Sequence, residues 1–255
     1  MTKLFPHMYD SPEKSQSVAG LSCGVVSFLL LPFTFTLFFY DRNPPQVYMV
    51  LEYLYQSVNF LMMLFVFRSY LRDSWLNVTI APGRVLGISL GAAATIVGLY
   101  VFFLAAGFLG LFPQANVIFL GALPMTGVEL MMLPGDLVLF GGIPAMVFLT
   151  VLGPVITACM FYATVYAPVC GSGRRFGAYA ALAVMLAVPR VITYFTAWGG
   201  WKELPLYLAQ LPIHFIACWT YQKTDTIWAP ILTLTISNLC SCVILFLMQL
   251  TGLIA

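Results

Sequence analysis

Long apolar runs follow one another along almost the whole chain, separated by short segments that carry turn residues and charge. A helix rises about 1.5 Å per residue, so about 20 apolar residues are needed to cross the hydrocarbon core of a bilayer. Suitable runs cover residues 18–40, 46–67, 85–112, 137–167, 176–197, 204–222 and 228–252. The sequence therefore predicts an all-α protein, a polytopic transmembrane helix bundle with seven spans.

The composition agrees with this class and excludes others. Of 255 residues, 61% are hydrophobic and only 8% are charged, whereas about 25% of the residues of a soluble domain are charged. The small net charge of +2 and the scattered basic residues argue against nucleic acid as a partner. The six cysteines lie mostly in apolar runs and form no Cys-x-x-Cys pair, which favours buried apolar side chains over metal ligands or disulfides. We expect a polar cytoplasmic segment at 1–17 and a single transmembrane domain at 18–255.

The stretch 113–136 is ambiguous, because it holds three prolines together with Glu129 and Asp136. It fits a re-entrant loop, an interfacial helix or an eighth span. Basic residues concentrate on the cytoplasmic side of membrane proteins, and seven spans with the N-terminus inside leave only Arg42 and Lys202 outside. The basic residues then placed in the cytoplasm are Lys3, Lys14, Arg68, Arg72, Arg84, Arg174, Arg175 and Lys223. This distribution favours seven spans, with the N-terminus in and the C-terminus out.

Three ionisable residues lie inside predicted spans, where a charge costs about 2.5 to 3.5 kcal/mol on insertion scales. Glu52 and Arg190 lie at similar depths, about 9 and 10 Å below the outer ends of their helices, so we expect them to form an ion pair. Alternatively, Glu52 reaches the outer interface and Arg190 faces a wet cavity. Gln56 and Asn59 share a helix face with Glu52. We interpret the third residue, His214, as a hydrogen-bonded structural residue rather than a metal ligand or a base.

The stretch YQKTDTIWAPILTLTISNL (221–239) resembles the last signature of the CAAX-protease and bacteriocin-processing family of intramembrane proteases, which includes the Rce-type prenyl-protein endopeptidases. In that family a polar turn leads into Trp-x-Pro and then His-x-x-x-Asn. Trp228 and Pro230 match this pattern, Asn238 falls on the Asn, and Leu234 occupies the His position.

The resemblance extends upstream, to a core at about 137–245. The first family motif has a Pro, two apolar residues and then Glu-Glu-x-x-x-Arg. Here Thr157 and Ala158 occupy the two Glu positions after Pro154, and Tyr162 occupies the Arg position. The His of the family's Phe-x-x-x-His motif corresponds to Arg190.

The resemblance implies a site in which paired Glu and His residues activate a water. The side chains present at those positions here cannot take a proton near neutral pH or bind a metal, so we expect no catalytic residue, no metal and no cofactor. We expect a catalytically inactive scaffold in a bacterial cytoplasmic membrane that contacts lipid and binds a transmembrane, lipidated or peptide partner. The predicted binding cavity comprises Glu52, Gln56, Asn59, Thr157, Tyr162, Arg190, His214 and Asn238.

Two other functions stay open. An active peptidase would need a relocated site, for example among Glu52, Glu129, Asp136 and His214, but their spacing matches no known constellation. A small-molecule transporter would need related halves with broken helices, and the sequence has no convincing internal repeat. A homo-oligomer also stays open, although we expect Gly20-x-x-x-Gly24 and Gly87-x-x-x-Gly91 to allow close helix packing within one chain.

Overall fold

A computed structural model describes residues 12–26, 45–108, 148–171, 174–195 and 203–250, and every regular element in these ranges is a helix. The prediction of an all-α fold is confirmed. The helices are α1 (Lys14–Val25), α2 (Pro45–Val66), α3 (Arg68–Ile80), α4 (Pro82–Phe108), α5 (the consecutive segments Phe148–Leu152, Gly153–Thr157, Ala158–Tyr166 and Ala167–Gly171), α6 (Arg175–Phe195), α7 (Glu203–Thr224) and α8 (Trp228–Leu250).

Two of these helices contain stretches that are long and apolar enough to cross a membrane. They are the 22 residues Pro82–Phe103 of α4 and the 21 residues Thr150–Cys170 of α5. Shorter apolar stretches occur at Gln56–Val66, Arg175–Val188 and Trp228–Ile244. Seven spans therefore stay a prediction, and the ambiguous stretch 113–136 lies outside the described residues.

Helix α5 contains two wide stretches with i→i+5 hydrogen bonding, Phe148–Leu152 and Ala158–Tyr166. Pro154 follows the first of them and stands at the start of an ordinary α-helical segment. A proline inside a helix donates no hydrogen bond, and its ring clashes with the carbonyl of the preceding turn. A wider turn before Pro154 relieves that clash, so the helix continues through the proline.

The core is mainly apolar, but two helices also bury polar side chains while they expose rows of large apolar ones, which is unusual in soluble proteins. In α2, Asn59 is completely buried. The same helix carries a row of large apolar side chains, each more than half exposed, at Leu54, Val58, Leu61 and Phe65. In α8 the hydroxyl residues Thr233, Ser237 and Ser241 are buried, whereas Leu239, Val243 and Leu247 are exposed. Apolar rows on the outer surface are suited to contact with lipid.

Contacts between helix ends bring the basic residues of the described chain to one end of the bundle. The Gln16 side chain of α1 donates to Ser69 Oγ of α3 at 2.6 Å. Arg84 Nη2 of α4 donates to the Lys223 carbonyl at the end of α7 at 2.7 Å. Gln222 lies 3.9 Å from Cys170 Sγ, at the end of α5. The described basic residues near these contacts are Lys14, Arg68, Arg72, Arg84, Arg174, Arg175 and Lys223.

The two glycine pairs differ in their surroundings. A Cβ atom added to Gly20 would lie 2.5 Å from both Phe67 Cζ and Thr164 Cγ2, and one added to Gly24 would lie 2.9 Å from Met160 Cε. The expectation of close packing within the chain is confirmed for this pair. For Gly87 and Gly91 it stays a prediction, because no atom in the described part of the chain lies within 4 Å of a Cβ added there.

Candidate functional site

The polar turn between α7 and α8 ends one helix and begins the next. Asp225 adopts the left-handed conformation with φ 52°, in which a short polar side chain is better tolerated than a bulky one. Its backbone N–H donates to the Tyr221 carbonyl at 2.8 Å and so closes the last turn of α7. Thr226 then accepts a hydrogen bond from the Trp228 N–H at 3.3 Å, as an N-terminal cap does.

Helix α3 holds this turn through two buried hydroxyl groups. Ser74 Oγ and Thr226 Oγ1 lie 2.9 Å apart, and Thr226 Oγ1 also donates to the Ser74 carbonyl at 2.9 Å. Since the Thr226 hydroxyl has a single hydrogen, Ser74 must donate within the pair. Ser74 Oγ in turn accepts from the Ile227 N–H at 2.9 Å. All these polar groups are thus satisfied inside the protein, which buried polar groups require.

Further contacts extend this clamp, which we define by Leu71, Ser74, Asn77, Asp225, Thr226 and Trp228. Trp228 Nε1 donates to the Leu71 carbonyl at 2.9 Å, and Asn77 Nδ2 donates to the Asp225 carbonyl at 2.9 Å. The Trp228 ring also packs edge-to-face against Trp75, with a centroid distance of 5.1 Å. The Trp-Ala-Pro match therefore has an architectural role in this protein, because it fixes the start of α8 against α3.

The first motif lies in the middle of α5. Thr157 is half-buried and Ala158 is fully buried. Tyr162, at the position of the family's Arg, is fully buried, and its Oη lies 2.7 Å from His214 Nδ1 of α7. The His214 ring also packs against the Tyr162 and Phe161 rings. His214 is thus hydrogen bonded, as its interpretation as a structural residue requires.

A second polar cluster lies between α5, α6 and α7, nearer the basic end. Gln222 Nε2 donates to Tyr166 Oη and approaches Cys170 Sγ. The Tyr166 ring packs edge-to-face with the rings of Tyr179 and Tyr221, at centroid distances of 5.1 and 6.1 Å. Tyr221 Oη accepts a hydrogen bond from Tyr70 Oη at 3.3 Å. These rings and hydroxyls fill the interior between the three helices and α3, to which Tyr70 belongs.

The other predicted cavity residues with described side chains belong to α2, α5 and α8. Helices α2 and α8 both pack against the first half of α5. Gln56, Thr157 and Asn238 are half-buried, and Asn59 and Leu234 are buried. Among the predicted cavity residues with described side chains, the structure brings Tyr162 and His214 together. Gln56, Asn59, Thr157 and Asn238 are related only through the packing of their helices.

Several predicted residues lie outside what the structure describes. Glu52 belongs to α2 and Arg190 to α6, but their side chains are not among the described ones. Their ion pair stays a prediction. Glu129 and Asp136 lie in 109–147, outside the described residues. In the described ranges no three His, Cys, Asp or Glu side chains converge, and for the whole chain the absence of a metal site stays a prediction.

The clamp on α3 was not predicted from the sequence. The segment 68–84 reads as a break between spans because it carries charge, a proline and a glycine, but the structure folds most of it into α3. The signal was the spacing of Tyr70, Leu71, Ser74 and Asn77, which form the buried face of that helix.

Comparison of the chain with protein-family models, with curated proteins and with solved structures finds no match in any of the three. The resemblance to the protease family is therefore carried by the motif residues alone. The described geometry provides a buried Tyr–His hydrogen bond at one motif and a structural clamp at the other.

Proposed function

We propose that this chain is an integral membrane protein with seven spans, its N-terminus in the cytoplasm and its C-terminus outside. Two features support this proposal. The exposed apolar rows on α2 and α8 suit a lipid environment. The basic residues at one end of the bundle fit the cytoplasmic side. A bacterial cytoplasmic membrane is the location that the family resemblance implies.

We further propose that the protein is a non-catalytic relative of the CAAX-type intramembrane proteases. The observation that carries this proposal is the environment of the first motif on α5. Ala158 is buried where the family has an acid. Tyr162, in place of the Arg, is hydrogen bonded to His214. A general base must reach its nucleophile with a group that accepts a proton near neutral pH, and neither Thr157 nor Ala158 has such a group.

A scaffold without its catalytic groups retains its shape and its hydrogen-bonding groups. Gln56, Thr157 and Asn238 are half-buried polar residues on three helices that pack together, and such groups are typical of ligand sites with apolar walls. We propose that this region binds the apolar part of a transmembrane, lipidated or peptide partner and so regulates that partner.

Binding can be tested with the purified full-length chain in lipid nanodiscs and fluorescent peptides. A farnesylated peptide with a free C-terminal carboxylate is compared with the same peptide without the lipid, and with a single-span transmembrane peptide. Fluorescence anisotropy should show saturable binding of the farnesylated or the transmembrane peptide. Gln56→Leu should weaken that binding about fivefold, because one hydrogen bond contributes about 1 kcal/mol.

The matched control is Val58→Leu, which changes an exposed side chain of the same helix and should leave binding unchanged. Absence of saturable binding for both peptides would contradict the proposal. Equal weakening by the two substitutions would place the site elsewhere.

An active peptidase with a relocated site is the second candidate. The hydrogen bond of 2.7 Å between Tyr162 and His214 is the observation that favours it, since a histidine paired with a hydroxyl is a common acid–base unit. Peptide cleavage that is lost in His214→Ala would identify this activity.

A further inference from the structure

The outward surface of α3 combines a guanidinium group with large apolar side chains. The Arg72 side chain is 80% exposed, and Trp75, Leu76 and Ile80 are 46%, 53% and 54% exposed. Residues three or four apart are neighbours on a helix surface, so these four side chains form one continuous patch. We refer to Arg72, Trp75, Leu76 and Ile80 as the α3 patch.

Other cations lie at the same end of the bundle as the α3 patch. Arg84 is exposed and is held by its hydrogen bond to the Lys223 carbonyl. The Lys223 ammonium lies 5.7 Å from the centre of the Trp219 ring, a favourable cation–π distance. Arg68 is exposed at the start of α3. Three described carboxylates lie at this end: Asp73, 3.4 Å from Arg72 Nε, Asp225 in the turn, and Glu13, whose hydrogen-bond partner Gln16 donates to Ser69. The seven described cations at this end outnumber them.

We propose that the α3 patch, together with Lys223, binds the headgroup of an anionic phospholipid in the membrane leaflet at this end of the bundle. The cations match a phosphate-bearing, negatively charged headgroup. The apolar side chains match the boundary between headgroups and acyl chains, where Trp and Leu of interfacial helices insert. A soluble acidic peptide would complement the cations but not the apolar side chains. The inference rests on the membrane location proposed above.

The clamp fixes the orientation of this surface. Ser74 and Asn77 on the opposite face of α3 hold the α7–α8 turn, and the Trp75 ring packs against Trp228. Helix α3 therefore has one face committed to the protein and one directed outwards. A lipid bound on the outer face would contact a surface that is already ordered, and little conformational entropy is lost on binding to such a surface.

The test is native mass spectrometry of the detergent-purified full-length chain, titrated with phosphatidylglycerol and, as the zwitterionic control, phosphatidylcholine. We expect preferential, saturable binding of phosphatidylglycerol. The double substitution Arg72→Gln with Lys223→Gln should weaken it about 25-fold, about fivefold for each cation near the lipid surface. Leu76→Gln should weaken binding of both lipids, whereas Arg72→Lys should retain most of the preference.

The matched control is Lys14→Gln, which removes an exposed cation at the same end of the bundle but outside the patch. It should change affinity less than twofold. Equal affinity for the two lipids, or an unchanged affinity in the double variant, would overturn the proposal, as would complete competition by soluble glycerol phosphate.

If the double variant does not fold, the lipid preference of the single Arg72→Gln variant tests the proposal instead. This variant is expected to fold, because the Arg72 side chain is largely exposed. Loss of lipid preference with intact peptide binding would separate this surface from the proposed peptide site.

Discussion

Ser74 Oγ and Thr226 Oγ1 lie 2.9 Å apart, although 152 residues separate them in the chain. One belongs to a helix between two long apolar runs, and the other begins the last helix. Their hydrogen bonds tie the α7–α8 turn to α3, so the motif that resembles a protease signature acts here as a structural joint.

Removing the Thr226 hydroxyl should destabilise the protein. Thr226→Val leaves the buried Ser74 carbonyl and hydroxyl without this partner and removes the acceptor of the Trp228 N–H. We expect a loss of about 1 to 3 kcal/mol, the cost of leaving a buried polar group unsatisfied. Thermal unfolding in detergent measures it. Thr79→Val, at an exposed threonine of α3, is the control and should stay within about 0.5 kcal/mol. Similar effects of the two substitutions would contradict the role of the clamp.

The contrast between the two glycine pairs gives a second prediction. Gly20→Ala brings a methyl group against Phe67 and Thr164, and such overpacking typically costs about 1 to 3 kcal/mol. Gly87→Ala meets no atom of the described residues within 4 Å and should be neutral or stabilising by up to about 1 kcal/mol. Both are read as changes in melting temperature of the purified protein. Equal melting temperatures for Gly20→Ala and Gly87→Ala would contradict the close packing of α1 against Phe67 and Thr164.

The Tyr162–His214 hydrogen bond can be measured as a coupling energy. A double-mutant cycle of Tyr162→Phe and His214→Ala should give a favourable coupling of about 0.6 kcal/mol and at most about 1.7 kcal/mol, the range for hydrogen bonds between membrane helices. The unfolding free energies of the four proteins supply the cycle. Pairing Tyr162→Phe with the distant Thr79→Val should give additive effects. Strict additivity in the first cycle would show that the hydrogen bond does not contribute to stability.

The clustering of cations at one end predicts how labelled sites divide across the membrane. One cysteine is introduced at a time, as Lys14→Cys, Arg72→Cys or Arg174→Cys. Each introduced thiol should react with an impermeant maleimide only when the cytoplasmic side is exposed. Cysteines at Arg42 and Lys202 should react only from the other side, with the unaltered chain as background for the six native cysteines. Reaction of Arg174→Cys and Arg72→Cys from opposite sides would contradict the seven-span topology.

Helix positions were predictable from the sequence where apolar length alone decides them. The runs 204–222 and 228–252 correspond to α7, Glu203–Thr224, and α8, Trp228–Leu250. The requirement that every backbone group in lipid be hydrogen bonded within its own helix makes such runs easy to recognise. The predicted run 85–112 begins three residues after the helix does, because Pro82, Gly83 and Arg84 were assigned to a break although they belong to α4.

The contacts between helices were not predictable in the same way. The Ser74–Thr226 bond depends on how distant helices pack, and a single sequence carries no signal for it. The wide turns of α5 are also unpredictable, since they depend on how the chain accommodates Pro154 within a packed core. At the candidate site the sequence identified Tyr162 and His214 as cavity residues. Their hydrogen bond to each other could not be predicted, because it depends on how α5 and α7 pack together.

Peptide hydrolysis tests the non-catalytic assignment most directly. The purified full-length chain in nanodiscs is incubated with the farnesylated peptide and with the transmembrane peptide, and products are identified by mass spectrometry. We expect no product above a control without protein, both for the unaltered chain and for His214→Ala. A defined cleavage product that the unaltered chain forms and His214→Ala does not would show that this bundle is an active protease.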